Sequence, residues 1–476
     1  MTHIQHARMY TADLATFVAT LQKNSLPQEV QERVRYLLLD YLAVTLRGSL
    51  LPSSLAVYDM LNVVPGAYIH ASEGVTLLGR EQRAEASWAA LVNGVAAHGI
   101  EMDDVENRSS LHPGVVVFPA ALALAEQLHS SLADFYTAIV AGYEVTLRVG
   151  AALNPASAYE RGFHPTAICG ALGSAATCSR LLHLSAEQTN MALGIAGSMA
   201  SGSMAYLDDG AWTKRLHPGW SSHAGITAAR LASAGFVGPT NILESRYGLL
   251  HAYSSASQIE QVGRISTNSF AIMDVSLKPY ACCRYMHGPI DCLLSIRDKH
   301  HPNTQHIRRI RCGVVSGGHG LVVDPIEQKR KANTIVDAQF SMPFGASIAL
   351  LTGQAGLSVF TEQMIQDPTV QALMQRVECY ATPELDNYYP DEWRAVASVE
   401  MLDGSIFEAT THYALGDPHN PLSWQQLVAR FHELVQPVIV DERTRKAIIT
   451  SVQQLESITM VTTALREGVT FSRNNT

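Results

Sequence analysis

The chain has 476 residues, of which 47% are hydrophobic, 16% charged and 7% aromatic. That length exceeds what one compact core usually fills, and the composition leaves little room for disorder away from the tails, so two globular domains rich in small aliphatic residues are expected. A formal net charge of -9 argues against a nucleic-acid surface, which needs a basic face to neutralise phosphates, but leaves room for a cationic pocket that takes an anionic small molecule.

Seven cysteines, Cys169, Cys178, Cys282, Cys283, Cys292, Cys312 and Cys379, are odd in number and lack CxxC pairs. They read as reduced structural thiols rather than a disulfide framework or a zinc knuckle. The first residues lack the basic-then-apolar layout of a secretory signal, and no apolar run approaches the ~18 residues of a membrane span. A cytoplasmic protein that does not engage a membrane is the expectation.

In chain order, Ala12 to Leu21 reads as a helix, and Ser25-Leu26-Pro27 opens a stronger one that Gly48 ends. Thr76 to Gly79 reads as an extended link. Ala84 to Ile100 returns to helix, with Leu91, Val95 and His98 along one stripe, and delivers Glu101, Asp103 and Asp104 ahead of His112-Pro113-Gly114. Val115 to Leu128 and Leu132 to Val149 are too apolar all round for surface helices. His164 stands just before a helix that Pro165 begins, and Ser185 with Gln188 predicts a capping box for Ala186 to Ala200. Asp208 to Gly219 is read as a polar loop carrying Lys214, Arg215 and His217, with a helix from Ser221 to Ala234.

Around Ser266 the alanine-rich helices stop, and Lys278, Arg284 and His287 form a second cationic cluster. His306 to Val315 and Arg376 to Tyr380 read as strands. Ala338 to Leu351 and Thr369 to Gln375 read as helices, and Ala397 to Tyr413 as a hairpin turning at Asp403-Gly404. Trp424 to Val435 and Asp441 to Ser457 are helices again, so the end of the chain is expected to rejoin the first domain. No internal repeat or low-complexity linker is present.

Three carboxylates within four positions at the end of a buried helix cost stability unless cations or shared protons compensate, which marks a site rather than scaffolding. The polar groups that stand out fall in four segments: Glu101, Asp103, Asp104 and His112; His164; Lys214 and His217; Lys278, Arg284 and His287. A substrate with two or three carboxylates suits this mixture, because lysines fix carboxylates while imidazoles and acids move protons. The acidic cluster is expected to raise a neighbouring imidazole's pKa toward working pH.

Taken together, the segments NGVAAHGIEMDD (93–104), LHPG (111–114), GFHPTAICGALGSAA (162–176), the Lys214 loop, GFVGPTNILES (235–245), KPYACCRYMHGPID (278–291) and AQFSMPF (338–344) resemble the MmgE/PrpD family. That family contains 2-methylcitrate dehydratases, cis-aconitate decarboxylases and iminodisuccinate epimerases. The resemblance covers nearly the whole chain. It implies a mainly α protein, with an all-helical domain from residues 1–268 and 413–476 and an inserted α+β lid domain at 269–412. It also implies a homodimer, a small polycarboxylate substrate, and an active site between the domains that uses neither metal nor organic cofactor.

Carried over by position, the resemblance places the site acid on Glu101, the histidines on His112 and His164, and the lysines on Lys214 and Lys278. Asp103 and Asp104 are expected to assist proton transfer, and Arg284 and His287 to help hold substrate. Two positions depart from the decarboxylases. Their threonine is Val105 here, and their lid tyrosine falls on Phe344, with Tyr280 or Tyr285 able to take its role. Losing both hydroxyls is expected to disfavour cis-aconitate and its decarboxylation to itaconate, and to favour a dehydratase or epimerase of a smaller acid. Two further readings are a magnesium-dependent prenyl-diphosphate enzyme, using Asp103 to Asn107 but lacking a second acidic stretch, and a non-catalytic helical binding protein.

Overall fold

The computed structural model describes residues 9–69, 73–263 and 270–467. The texture change expected at Ser266 and the domain boundary at 268/269 lie outside the described residues. The fold is mainly α.

The eight longest helices among the described residues of the first part of the chain, which carries the acidic loop, are α1 (Tyr10–Thr20), α2 (Gln28–Gly48), α3 (Ala86–Ala97), α4 (Gly114–Leu128), α5 (Leu132–Leu153), α6 (Pro165–Leu181), α7 (Ala186–Met199) and α8 (Thr213–Ser233). Helix α6 packs on α5, α8 and α4, and α8 also packs on α3 and α7. The all-round apolar sequences of α4 and α5 are explained by burial on nearly every side. The capping box of Ser185 and Gln188 forms at the start of α7 as the sequence predicts.

One element differs usefully from expectation. Lys214, Arg215 and His217 lie on the first turns of α8 rather than in a loop, and Pro218 sits inside that helix. Proline lacks the N–H that would bond the Lys214 carbonyl, so the sequence reads as a break. The helix persists because it is clamped against α3. A Cβ on Gly219 would lie 2.2 Å from the Leu91 carbonyl oxygen, and one on Gly94 would lie 2.7 Å from the Gly219 Cα. This close backbone approach sets Lys214 and His217 beside the loop that leaves α3.

The second part of the chain holds helix α9 (His287–His300), helix α10 (Met342–Thr352) and a four-stranded sheet. Its strands are β1 (Ile307–Gly313), β2 (Val377–Tyr380), β3 (Ala395–Met401) and β4 (Ile406–Thr411), in the order β2-β1-β3-β4. Strands β1 and β2 run parallel, and the other pairs are antiparallel. The β3–β4 hairpin turns at Asp403-Gly404, where Gly404 takes a φ of +89°. Ala395, Ala397, Val399 and Met401 alternate inward, and α9 covers β3 and β4. The helix expected over 338–351 is interrupted at Phe340 and Ser341, because the Ser341 side chain caps α10 by accepting from the Phe344 N–H.

The chain then returns through α11 (Trp424–Val435), α12 (Glu442–Gln454) and α13 (Ile458–Glu467). Helices α11 and α12 pack on α2, and α13 packs on α4. Arg430 of α11 pairs with Asp40 of α2 at 2.7 Å and donates to the Met102 carbonyl at 2.6 Å. The two passages between the helical body and the sheet-bearing part run side by side, the Leu277 N–H donating to the Gly416 carbonyl. Val275–Ser276 pairs antiparallel with Val105–Glu106, which ties these passages to the acidic loop. No helix among the described residues is long and apolar enough to cross a membrane.

Candidate active site

The acidic loop leaves α3 through His98, and two of its residues, Glu101 (φ +57°) and Ser110 (φ +48°), adopt left-handed backbone that non-glycine residues rarely take. Both line a cavity of about 40 Å³ between the helical body and the sheet-bearing part. The body contributes Glu101, Val105, Ser110, His112, Tyr159, His164, Met204, Tyr206 and Lys214 to its wall; the other side contributes Cys283, Arg284, Tyr285, Leu321, Phe340 and Trp393. At about 10–15 Å³ per water this space holds a few waters and no six-carbon acid, so substrate admission requires the two parts to separate or side chains to swing aside.

The charges beneath the wall compensate one another. The Lys214 ammonium pairs with Glu101, and Lys278, wholly buried one layer back, lies 3.4 Å from Glu101 and 3.6 Å from Asp103. Burial opposes ionisation of both carboxyls, yet Lys214, Lys278 and His98 hold Glu101 below the usual carboxylate range. His98, Lys278 and His112 do the same for Asp103. Burial lowers the Lys214 pKa despite Glu101, whereas Asp103 and Glu101 outweigh burial at Lys278 and raise its pKa. Two ammonium groups thus balance two carboxylates, with no charge left for the histidines to neutralise.

Asp103 receives two imidazoles. Its Oδ2 is 2.8 Å from His98 Nδ1 and 2.9 Å from His112 Nδ1, and His112 Nδ1 is also 2.8 Å from the Asp104 carbonyl oxygen. A carbonyl and a carboxylate can only accept, so the Nδ1 of His112 carries the proton and its Nε2 keeps a lone pair. Burial lowers the His112 pKa to about 4, Asp103 raising it and Lys278 lowering it again. The acidic cluster therefore does not lift this imidazole toward neutral pH as the sequence suggested, because burial and Lys278 outweigh Asp103. His164 Nδ1 lies 3.0 Å from His217 Nδ1, and burial together with His217, Lys214, His98 and His112 holds His164 neutral.

Other predicted site residues have different positions. Asp104 is structural: its Oδ1 accepts from the Gly114 N–H at 2.8 Å and its Oδ2 from the Tyr143 hydroxyl at 2.7 Å. A Cβ at Gly114 would collide with that carboxyl at 2.7 Å, which accounts for the glycine. Burial pushes the Asp104 pKa up to about 7. Arg284 reaches the wall but is held by the Leu415 carbonyl (3.1 Å) and Asp417 (3.5 Å). His287 lies behind it, bonded to Arg284 and the Cys282 carbonyl, and does not line the cavity. Phe344 is also off the wall, packed on Phe360, and the large apolar side chains that line the cavity from the sheet-bearing side are Leu321, Phe340 and Trp393.

His98 was legible only as a core residue, although an acid five positions later is the partner it finds. Ser110, Tyr159, Tyr206 and Tyr285 also reach the wall. Tyr159 and Ser110 share a hydrogen bond at 2.9 Å, and the Tyr285 hydroxyl is 3.0 Å from that of Tyr389. Among the described residues, the His98, Asp103 and His112 donor atoms lie within 4.8 Å of one another, a spacing that could suit a metal. Here both Nδ1 atoms point protons at Asp103, and the Lys278 ammonium already supplies the cation. Asp103 to Asn107 likewise turns to protein partners: Glu106 accepts from the Ser109 N–H and hydroxyl, and Asn107 donates to Asp417.

Residues 12–262 match the MmgE/PrpD N-terminal domain and residues 280–455 the MmgE/PrpD C-terminal domain. The chain belongs to the MmgE/PrpD family. Its relatives include a cis-aconitate decarboxylase-like protein of Aspergillus oryzae, 28% identical over 94% of both chains. The human cis-aconitate decarboxylase is 27% identical over 96% of this chain and 94% of its own. The 2-methylcitrate dehydratase of Salmonella typhimurium is 27% identical over 21% of each chain. The positions onto which the MmgE/PrpD resemblance places site residues, Glu101, His112, His164, Lys214 and Lys278, lie in one cluster, four of them on the cavity wall and Lys278 behind it.

Proposed function

We propose that this MmgE/PrpD protein is a lyase or isomerase acting on a small di- or tricarboxylate, using its own side chains to move a proton beside a carboxylate. The observation that carries this reading is His112, whose Nδ1 faces only acceptors and whose Nε2 is therefore a lone-pair nitrogen beside a lysine-lined cavity. A neutral imidazole at pH 7 is ready as a base. When it takes a proton, Asp103 stabilises the imidazolium.

In this reading a substrate carboxylate takes over the Lys214 ammonium from Glu101, while Lys278 keeps Glu101 and Asp103 ionised beneath. His112 removes the proton on the carbon next to a carboxylate, and the electron pair passes toward that carboxylate. In a dehydration the C–O bond then breaks, and an acid opposite His112 protonates the departing hydroxide. In an epimerisation the proton returns to the other face. His164, which lines the same cavity, is the second proton partner. Replacing His112 by glutamine should abolish turnover with the fold intact, and wild-type rates in that variant would overturn the assignment.

Decarboxylation of cis-aconitate to itaconate is the second reading. The cis-aconitate decarboxylases among the relatives match over nearly the whole chain, and four hydroxyl groups ring the cavity. Of the two lost hydroxyls that spoke against it, only Val105 lies on the wall, because Phe344 does not. Here the C–C bond to the carboxylate of the CH₂ arm breaks and carbon dioxide leaves, the electron pair shifts the double bond toward the vacated carbon, and the far alkene carbon, next to a carboxylate, takes a solvent proton relayed by a histidine. Product NMR with cis-aconitate and 2-methylcitrate as separate substrates distinguishes the two readings.

A further inference from the structure

The His164–His217 contact bears on which histidine gives a proton and which takes one. The two Nδ1 atoms are 3.0 Å apart, a hydrogen bond that exists only if one of the two carries its proton on Nδ1 and the other does not. The two cases give His164 opposite characters toward the cavity. If His164 donates, its Nε2 is bare and it is a second base like His112. If His217 donates, His164 Nδ1 is the acceptor, its proton sits on Nε2, and it is a donor aimed at the substrate. His164 lines the cavity and His217 does not.

We infer that His217 is a positioning residue that donates its Nδ1–H to His164 and so makes His164 the proton donor opposite His112. This rests on the proposed proton-transfer function. The surroundings favour that direction. His98 and His112 both have Nδ1 committed as donors to Asp103, so each keeps a bare Nε2, and the buried His98 Nε2 has no hydrogen-bond partner. His98 and His112 have ring centroids 4.8 Å apart, His98 and His164 5.9 Å. A third bare nitrogen here would leave the three imidazoles with acceptors alone, whereas dehydration, epimerisation and decarboxylation each require a donor.

Charge points the same way. The groups facing His164 are Lys214, His98, His112, His217 and the Tyr206 ring. Burial lowers both imidazoles, but His217 is the more exposed of the two, 9% against 3%, so a proton taken up by the pair enters through His217. A protonated His217 passes its Nδ1–H to His164 Nδ1 as His164 gives its Nε2–H to the substrate, so both rings end neutral. The site was built with its reservoir proton one residue behind the acid. His217 is on α8, immediately before the Pro218-Gly219 contact with α3 and three residues after Lys214, so the same stretch of helix sets the Lys214 anchor and the group behind His164.

Two variants and one direct readout test this. His217→Phe keeps a ring but has no donor, and His217→Asn places an amide N–H near the position of Nδ1. The tautomer of His164 is read by two-bond ¹H–¹⁵N NMR on histidine-labelled protein, its signal assigned with His164→Gln, and folding is checked by thermal melting. The expected result is a wild-type His164 protonated on Nε2. On whichever of cis-aconitate and 2-methylcitrate the wild type turns over, His217→Phe should lower kcat at least tenfold with little change in KM, and His217→Asn, which keeps the donor that fixes the tautomer but cannot relay a proton, should restore part of that loss. A wild-type His164 protonated on Nδ1 would overturn the inference, as would a folded His217→Phe protein with wild-type kcat. The NMR readout needs no substrate, so it fails or stands independently of the proposed function.

Discussion

Replacing Asp103 by asparagine removes the charge on which the proton machinery rests while keeping its shape. The Asp103 Oδ2 accepts from His98 at 2.8 Å and His112 at 2.9 Å, and its other oxygen is 3.6 Å from the Lys278 ammonium. An asparagine oxygen in the Oδ2 place can still accept these bonds, but its NH₂ group then faces the Lys278 ammonium, and in the flipped orientation it faces both imidazole donors. Breaking a buried pair and leaving Lys278 undercompensated costs about 3–5 kcal/mol. At roughly 2–4 °C per kcal/mol for a large domain, the melting temperature should fall by about 6–20 °C. Catalysis should suffer more, because the amide can turn the His112 proton to Nε2 and remove the base. A loss of about 10²–10⁴ in kcat is the expected range for general-base catalysis. Asp103 also raises the His112 pKa, so the acidic limb of any residual kcat/KM profile should move below the wild-type position near 4. The assay is a pH series of kcat and kcat/KM on the folded variant. A folded Asp103→Asn protein with kcat within threefold of wild type would refute the role given to Asp103.

Lys214→Met should weaken a tricarboxylate inhibitor by at least about tenfold, the loss of a charge-assisted contact worth ~1.5–3 kcal/mol, and an unchanged Kd by calorimetry would remove Lys214 from substrate binding. Asp104 titrates at about 7 in the fold, so its contribution to stability is complete below the ordinary carboxylate pKa and is lost as pH rises through 7. Between pH 5 and pH 8 that loss is about 2–3 kcal/mol, and urea unfolding at the two pH values should show it in wild type and not in Asp104→Asn; equal pH slopes would contradict it. Val105→Thr should raise turnover of cis-aconitate several-fold, since one hydrogen bond is worth about 1 kcal/mol, and no change would mean that the missing hydroxyl does not discriminate. EDTA should leave turnover unchanged, and a loss restored by adding a divalent ion would contradict the side-chain mechanism.

Much of the fold was legible because it rests on local rules. Ser185 with Gln188 caps α7, Asp403-Gly404 turns the hairpin, and Trp424 to Val435 is a helix with the bounds its apolar spacing gives. The start of α8 was not, because Pro218 signals a break and only the contact of Gly219 with Leu91 and Gly94 overrides it. The helix interruption at Phe340 was hidden for the opposite reason: its residues are good helix formers, and the Ser341 cap decides. In the site, residue types and order sufficed to pick the cluster, but not its layers. Nothing in the sequence tells that Asp104 turns to Gly114 and Tyr143, that Lys278 sits behind Glu101, or that Phe344 packs away from the cavity. Those outcomes depend on side-chain direction at the meeting of the two parts, as does the loss of basicity that burial imposes on His112.

The most direct test of the account is proton transfer itself. Purified protein is incubated in D₂O with cis-aconitate, 2-methylcitrate, citrate or iminodisuccinate, each alone, and the products are read by NMR beside the His112→Gln variant. The wild type should convert at least one of these acids and place solvent deuterium on a carbon next to a carboxylate, in product or in recovered substrate, while the folded variant does neither. Wild-type protein that leaves all four acids unchanged and unlabelled, or a His112→Gln protein that labels them equally well, would contradict it.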